Sequence, residues 1–94
     1  MENKIVLAMQ MLAKSRVDDR PKVLETIYER FGLECEAVYI QSLNDSNPKL
    51  RICAMNIIED IKKENSVEYI YPLLNDRNFW VRRAANKCAK KYKK

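Results

Sequence analysis

The 94-residue chain has no histidine and a single glycine, Gly32. The first absence removes the commonest general base and the commonest metal ligand. The second excludes a glycine-rich phosphate cradle and, with only three prolines, leaves too few tight turns for a sheet of hairpins. Cys35, Cys53 and Cys88 are odd in number, widely spaced and never at metal-ligand spacing. Each sits among apolar neighbours, so they read as small core residues in a reducing compartment. Long apolar runs are missing too: Lys14 and Arg16 close the segment that begins at Ile5, and the short amphipathic run after Glu2 and Lys4 lacks the pattern of a secretory signal. The expectation is a cytoplasmic, non-catalytic chain with no cofactor, no metal and no membrane span.

What the chain does contain is an internal repeat. Leu43 to Ala54 (LNDSNPKLRICA) returns as Leu74 to Ala85 (LNDRNFWVRRAA), with Leu, Asn, Asp, Asn, Arg and Ala in register. A fixed period of this kind marks units too small to bury their own apolar face, which stack on one another.

Six segments follow helical periodicity. Asn3 to Lys14 and Arg20 to Phe31 come first, the latter carrying Val23, Leu24, Ile27, Tyr28 and Phe31 on one face and ending at Gly32. A third helix is expected from about Leu33 to Leu43, with Ala37, Val38 and Leu43 inward. The fourth is clearest: Asn47 caps, Pro48 takes the first helical position, and Leu50, Cys53, Ala54, Ile57, Ile58 and Ile61 recur at spacings of three and four. Ser66 is the expected cap of the fifth, where Pro72 kinks or tightens the last turn, and the sixth starts at Asn78 with Val81, Ala84, Ala85, Cys88, Ala89 and Tyr92 inward. Met9, Met11 and Met55 read as core filler, and the five tyrosines as helix-edge residues with wet hydroxyls. Connections this short set consecutive helices antiparallel, so the reading is all-α, with three helical hairpins.

Within the repeat, an aspartate stands six positions before an arginine: Asp45 and Arg51, then Asp76 and Arg82. The aspartate suits the start of the following helix, while the arginine is placed to reach a carboxylate of its own or the adjacent repeat. Regular recurrence makes these four residues structural joints rather than a catalytic pair.

With Arg51 and Ala54, and Arg82 and Ala85, the chain resembles the HEAT repeat, and especially the short HEAT-like repeats first associated with phycobilisome lyases. That family pairs antiparallel helices around a turn aspartate, with an arginine early in the second helix. The resemblance implies a single α-α superhelical domain over 1–94, a right-handed solenoid with repeats at 33–64 and 65–94. Residues 1–32 form a degenerate capping repeat, in which Leu24 stands where the arginine belongs. It also implies that the second helix of each hairpin lines the inner surface, making Lys49, Asn56, Lys63, Arg83, Lys87 and Lys90 candidate partner contacts.

Charge is segregated along the chain. Residues 1–47 hold six basic and eight acidic side chains, residues 48–94 twelve and five, and from Arg77 onward there are eight cations and no acid. Arg83, Lys87, Lys90 and Lys94 fall on one helical stripe, with Phe79 and Trp80 at its start. Solvation and the helix dipole account for such a stripe without a partner, and the aromatic pair is expected to close the open end of the core. As a partner surface, with Trp80 as an anchor, the stripe suits an acidic protein; the alternative is nucleic acid bound through the basic last helix. A small scaffold or protein-interaction module, possible also as a homo-oligomer, is the reading the sequence supports best.

Overall fold

Three asparagines start three of the helices. Asn3 accepts backbone N–H bonds from Ile5 and Val6, Asn47 from Lys49, and Asn78 from Trp80 and Val81. Each satisfies donors that a helix start leaves unpaired. A computed structural model describes residues 3–93, and all of its regular structure is helical. The α-helices are α1 (Lys4–Lys14), α2 (Arg20–Phe31), α3 (Glu36–Ser42), α4 (Pro48–Lys62), α5 (Ser66–Ile70) and α6 (Phe79–Lys91).

Short 3-10 segments at Val17–Asp19, Gly32–Cys35, Lys63–Asn65 and Tyr71–Asn75 fill most of the gaps between them. The helices therefore run together into four uninterrupted stretches, 4–14, 17–42, 48–75 and 79–91, rather than six separate rods. Several sequence expectations are corrected accordingly. The third helix begins at Glu36, after a 3-10 turn, and Ala37 is exposed although Val38 and Leu43 are buried. Ser66 is the first residue of α5 and not its cap; its buried hydroxyl donates to the carbonyl of Lys63. Pro72 tightens the chain into the 3-10 segment that follows Ile70.

The core is threaded by α4, which packs against α2, α3, α5 and α6. Leu50, Arg51, Cys53, Ala54, Met55, Ile57 and Ile58 are buried along it, so it is covered on more than the single face an ordinary amphipathic helix hides. Leu24 and Ile27 of α2, Val38 and Tyr39 of α3, Ile70 of α5, and Val81, Ala85 and Cys88 of α6 complete the apolar spine. The molecule is elongated, 43 × 24 × 17 Å. Of the methionines, Met55 is core and Met11 half-buried, while Met9 is 43% exposed and does not fill it. Tyr39 departs from the expectation for tyrosines: it is fully buried and its hydroxyl donates to the carbonyl of Gly32 at 2.7 Å.

The repeat extends to the helix ends. Gly32 (φ 54°, ψ −132°) terminates α2, and Lys63 (φ 53°, ψ −125°), one full period further on, terminates α4 in the same backbone conformation. Glycine adopts a positive φ freely, whereas a side chain there is strained by about 1–2 kcal/mol. The first unit thus closes with the residue the conformation favours and the second closes against its cost. Replacing Lys63 by Gly is expected to raise stability by about 1 kcal/mol in urea denaturation. Gly32→Ala, which meets no atom within 4 Å, should lower stability by a similar amount through backbone strain alone. A destabilised Lys63→Gly would show that the lysine side chain contributes more than its backbone costs.

Candidate functional site

Asp45 and Asp76 make the same corner hydrogen bonds. Each carboxylate accepts the backbone N–H two positions on, Asn47 and Asn78 respectively, both at 2.9 Å. Each backbone carbonyl accepts from Nη1 of the arginine six positions on, Arg51 at 2.7 Å and Arg82 at 2.8 Å. The aspartate therefore shapes the corner, and the arginine is anchored to it from one turn inside the next helix.

The rest of the guanidinium reaches forward. Arg51 donates from Nε and Nη2 to the two carboxylate oxygens of Asp76, at 2.9 and 2.8 Å, joining α4 to the corner before α6. Arg51 is 4% exposed, and no buried side-chain nitrogen or oxygen among the described residues lacks a partner. A buried guanidinium of this kind is tolerable because its N–H groups meet acceptors, the carbonyls of Asp45 and Ser46 and the carboxylate of Asp76. Arg20 makes the corresponding contact in the first unit, donating from Nη1 to both oxygens of Asp45 at 3.2 Å. Sequence reasoning missed it by seeking the arginine at position 24, whereas the period that separates Arg51 from Arg82 places it at position 20. The signal was the separation: Arg20 precedes Asp45, and Arg51 precedes Asp76, by 25 residues.

Burial alone would raise the carboxyl pKa of Asp76. The hydrogen bonds from Arg51 and the Asn78 N–H, with the charges of Arg51 and Arg77, outweigh burial and hold it below the ordinary carboxylate value. All three cysteines are buried, and burial is the first cause that raises their thiols, Cys53 to about 11. They remain protonated core groups.

A second set of contacts ties successive helices along another face. Tyr28 donates to Asp60, Lys62 pairs with Glu36 at 3.3 Å, and Lys91 pairs with Glu59 at 3.2 Å. These lysines are neutralised within the chain. Arg83, Lys87 and Lys90 are exposed and form no ion pair among the described residues; Lys94, the last member of the expected stripe, lies outside the described residues. Lys49 and Asn56 are exposed on α4 at the positions that Trp80 and Lys87 occupy on α6. Lys63 sits beyond the end of α4, 3.8 Å from Asp60.

Phe79 and Trp80 do not close the core, contrary to the sequence expectation: they are 56% and 60% exposed. Their rings meet edge to face at 5.1 Å, and the guanidiniums of Arg82 and Arg83 lie over Phe79 and Trp80 at 6.0 and 5.6 Å. Val81, beside them in sequence, takes the buried place instead. Helix phase explains the outcome, because the inward positions of α6 run Val81, Ala85 and Cys88 and leave residues 79 and 80 on the outer side.

No protein-family model matches the sequence, and no curated protein or solved structure matches it. The site is therefore read from its own chemistry: two arginine–aspartate joints inside, and one apolar and cationic surface outside.

The two joints differ in burial, with side-chain exposures of 5% and 8% for Arg51 and Asp76 against 23% and 22% for Arg20 and Asp45. Arg51→Ala strands a buried carboxylate and should cost about 3 kcal/mol or more, whereas Arg20→Ala should cost about 1 kcal/mol or less, both read by urea denaturation. Equal losses would overturn the ranking. Because the folded-state pKa of Asp76 is depressed, its contribution is fully present above the unfolded carboxylate pKa of about 4 and lost as pH falls below it. Asp76→Asn should accordingly flatten the fall in stability measured across that acid range.

Proposed function

We propose that the chain is a HEAT-like stack of three helical hairpins that works as a small, non-catalytic protein-interaction module. The repeated corner geometry of Asp45 and Asp76 supports the stack. One observation carries the interaction reading: an exposed aromatic pair held between arginines, continuous with the uncompensated cations Lys87 and Lys90. Exposed tryptophan beside arginine is the composition of an interface centre, and cations at its edge select acidic partners.

The inner contacts point the same way. Lys62 of α4 is paired with Glu36 and Lys91 of α6 with Glu59, while Arg83, Lys87 and Lys90 of α6 keep no acidic partner among the described residues. Lys49 and Asn56 extend the proposed surface onto α4. Nucleic acid bound through the basic last helix is the alternative, since the exposed rings of Phe79 and Trp80 beside arginines could also stack bases.

Trp80 is the only tryptophan and reports directly on its own surface. Its fluorescence should stay unchanged during titration with mixed DNA and RNA at low and high salt, and should respond to acidic polypeptide ligands. Changing Arg83, Lys87 and Lys90 to Glu should abolish that response without loss of helix content. Steeply salt-dependent quenching by nucleic acid, removed by the same substitutions, would reverse the assignment.

A further inference from the structure

One depression recurs in each unit of the chain. Leu12 and Arg20 line the first, Leu43 and Arg51 the second, and Leu74 and Arg82 the third, each pair one period after the last. The first two also contain the aspartate of the following corner, Asp45 or Asp76, and in both the arginine donates to its carboxylate. The third is completed by Phe79, Arg83 and Asn86 instead, and among the described residues no carboxylate meets Arg82. Arg82 is otherwise set as Arg51 is. Its Nη1 donates to the carbonyl of Asp76 at 2.8 Å, as Nη1 of Arg51 donates to that of Asp45 at 2.7 Å, and Nε and Nη2 can still donate. Arg51 spends those two groups on Asp76.

A second copy of this chain does not supply the carboxylate. The register that sets Asp45 against Arg20 and Asp76 against Arg51 places Lys14 one period before Asp45, so a copy stacked on this end would bring a lysine to Arg82 and be repelled. The face is also more polar than its counterpart inside the fold: exposed Arg83 and Asn86 stand on α6 where half-buried Ile52 and buried Met55 stand on α4. Such a face suits a partner that binds and dissociates.

We infer that this end of the molecule binds an acidic turn of a different protein, in which an aspartate just ahead of a helix gives its carboxylate to Nε and Nη2 of Arg82. The occupant is read from the two internal copies of the site. Asp45 and Asp76 each precede a helix, and each also accepts the N–H two positions on, which holds the carboxylate in place for its arginine. Charge agrees, because from Arg77 onward the chain carries eight cations and no acid, and Arg83 at the edge of the depression favours a second acidic group beside the aspartate. The inference rests on the proposed interaction module and names what its partner presents at this face.

Titrating the intact chain with the capped peptide of residues 43–48 (LNDSNP), which carries the Asp45 corner, tests this by NMR. At millimolar peptide the Arg82 Nε–H signal should shift and exchange with water more slowly, and backbone amide signals along α6 should move with it. The same peptide with Asp45→Asn, and the Arg82→Lys protein with the original peptide, should each bind roughly tenfold more weakly, since one removes the carboxylate and the other keeps the charge but loses the fork. Arg82 is exposed, so circular dichroism should not change. An Arg82 signal indifferent to the peptide overturns the inference, while a Trp80 response to acidic polypeptides would leave the module itself standing. Undiminished binding of the Asn peptide, or by Arg82→Lys, overturns it too, because charge or the rings alone would then account for the contact. So does an Arg82 shift produced by duplex DNA and not by the peptide.

Discussion

The guanidinium of Arg51 is shared between two corners. It holds the carbonyl of Asp45, in the turn before its own helix, and both carboxylate oxygens of Asp76, in the turn before the next. One planar group with donors on both edges thereby fixes the start of α4 relative to the start of α6. Apolar packing alone specifies that two helices touch; directional bidentate bonds specify the register at which they do. Arg20 and Asp45 repeat the contact one unit earlier with longer bonds and more solvent. In the proposed stack, the spacing that carries Leu43 to Leu74 and Asp45 to Asp76 follows from keeping this joint at the same place in each unit.

Much of this was legible in the sequence, because the joint recurs. Asp45, Arg51, Asp76 and Arg82 stand out at a fixed offset, Asn47 and Asn78 announce helix starts, and the three- and four-residue spacing along α4 marks its core. Elements without a repeated signal were harder. Arg20 stands one full period before Arg51, at the same place in the repeat, but Lys14 and Arg16 occupy the positions of Asp45 and Asn47, so only its distance to Asp45 betrays it. The 3-10 turns that fuse α2 to α3 and α4 to α5 have no composition of their own. Lys63 adopts a backbone conformation that its side chain disfavours, so no propensity rule finds it; its equivalence to Gly32 does.

The outer surface was legible as charge but not as shape. The cationic run after Arg77 is evident in the sequence, yet which lysines are compensated depends on Glu36 and Glu59, contributed by other helices. Phe79 and Trp80 look like core residues by composition. Helix phase turns them outward, since Val81 already fills the inward position and the rings instead pack on each other and beneath two arginines. In the proposed module, these exposed rings flanked by cations are the place for a partner.

The proposed stacking of the units depends on Arg51 being held by both corners, and the side-chain Nε–H signals of the arginines in a heteronuclear NMR spectrum report that directly. Bonded to Asp76 and buried, the Arg51 Nε–H should exchange with water far more slowly than that of exposed Arg82, and Asp76→Asn should remove the difference. If Arg51 and Arg82 exchange at the same rate in the folded wild-type chain, the joint does not exist in solution and the stacking built on it is wrong.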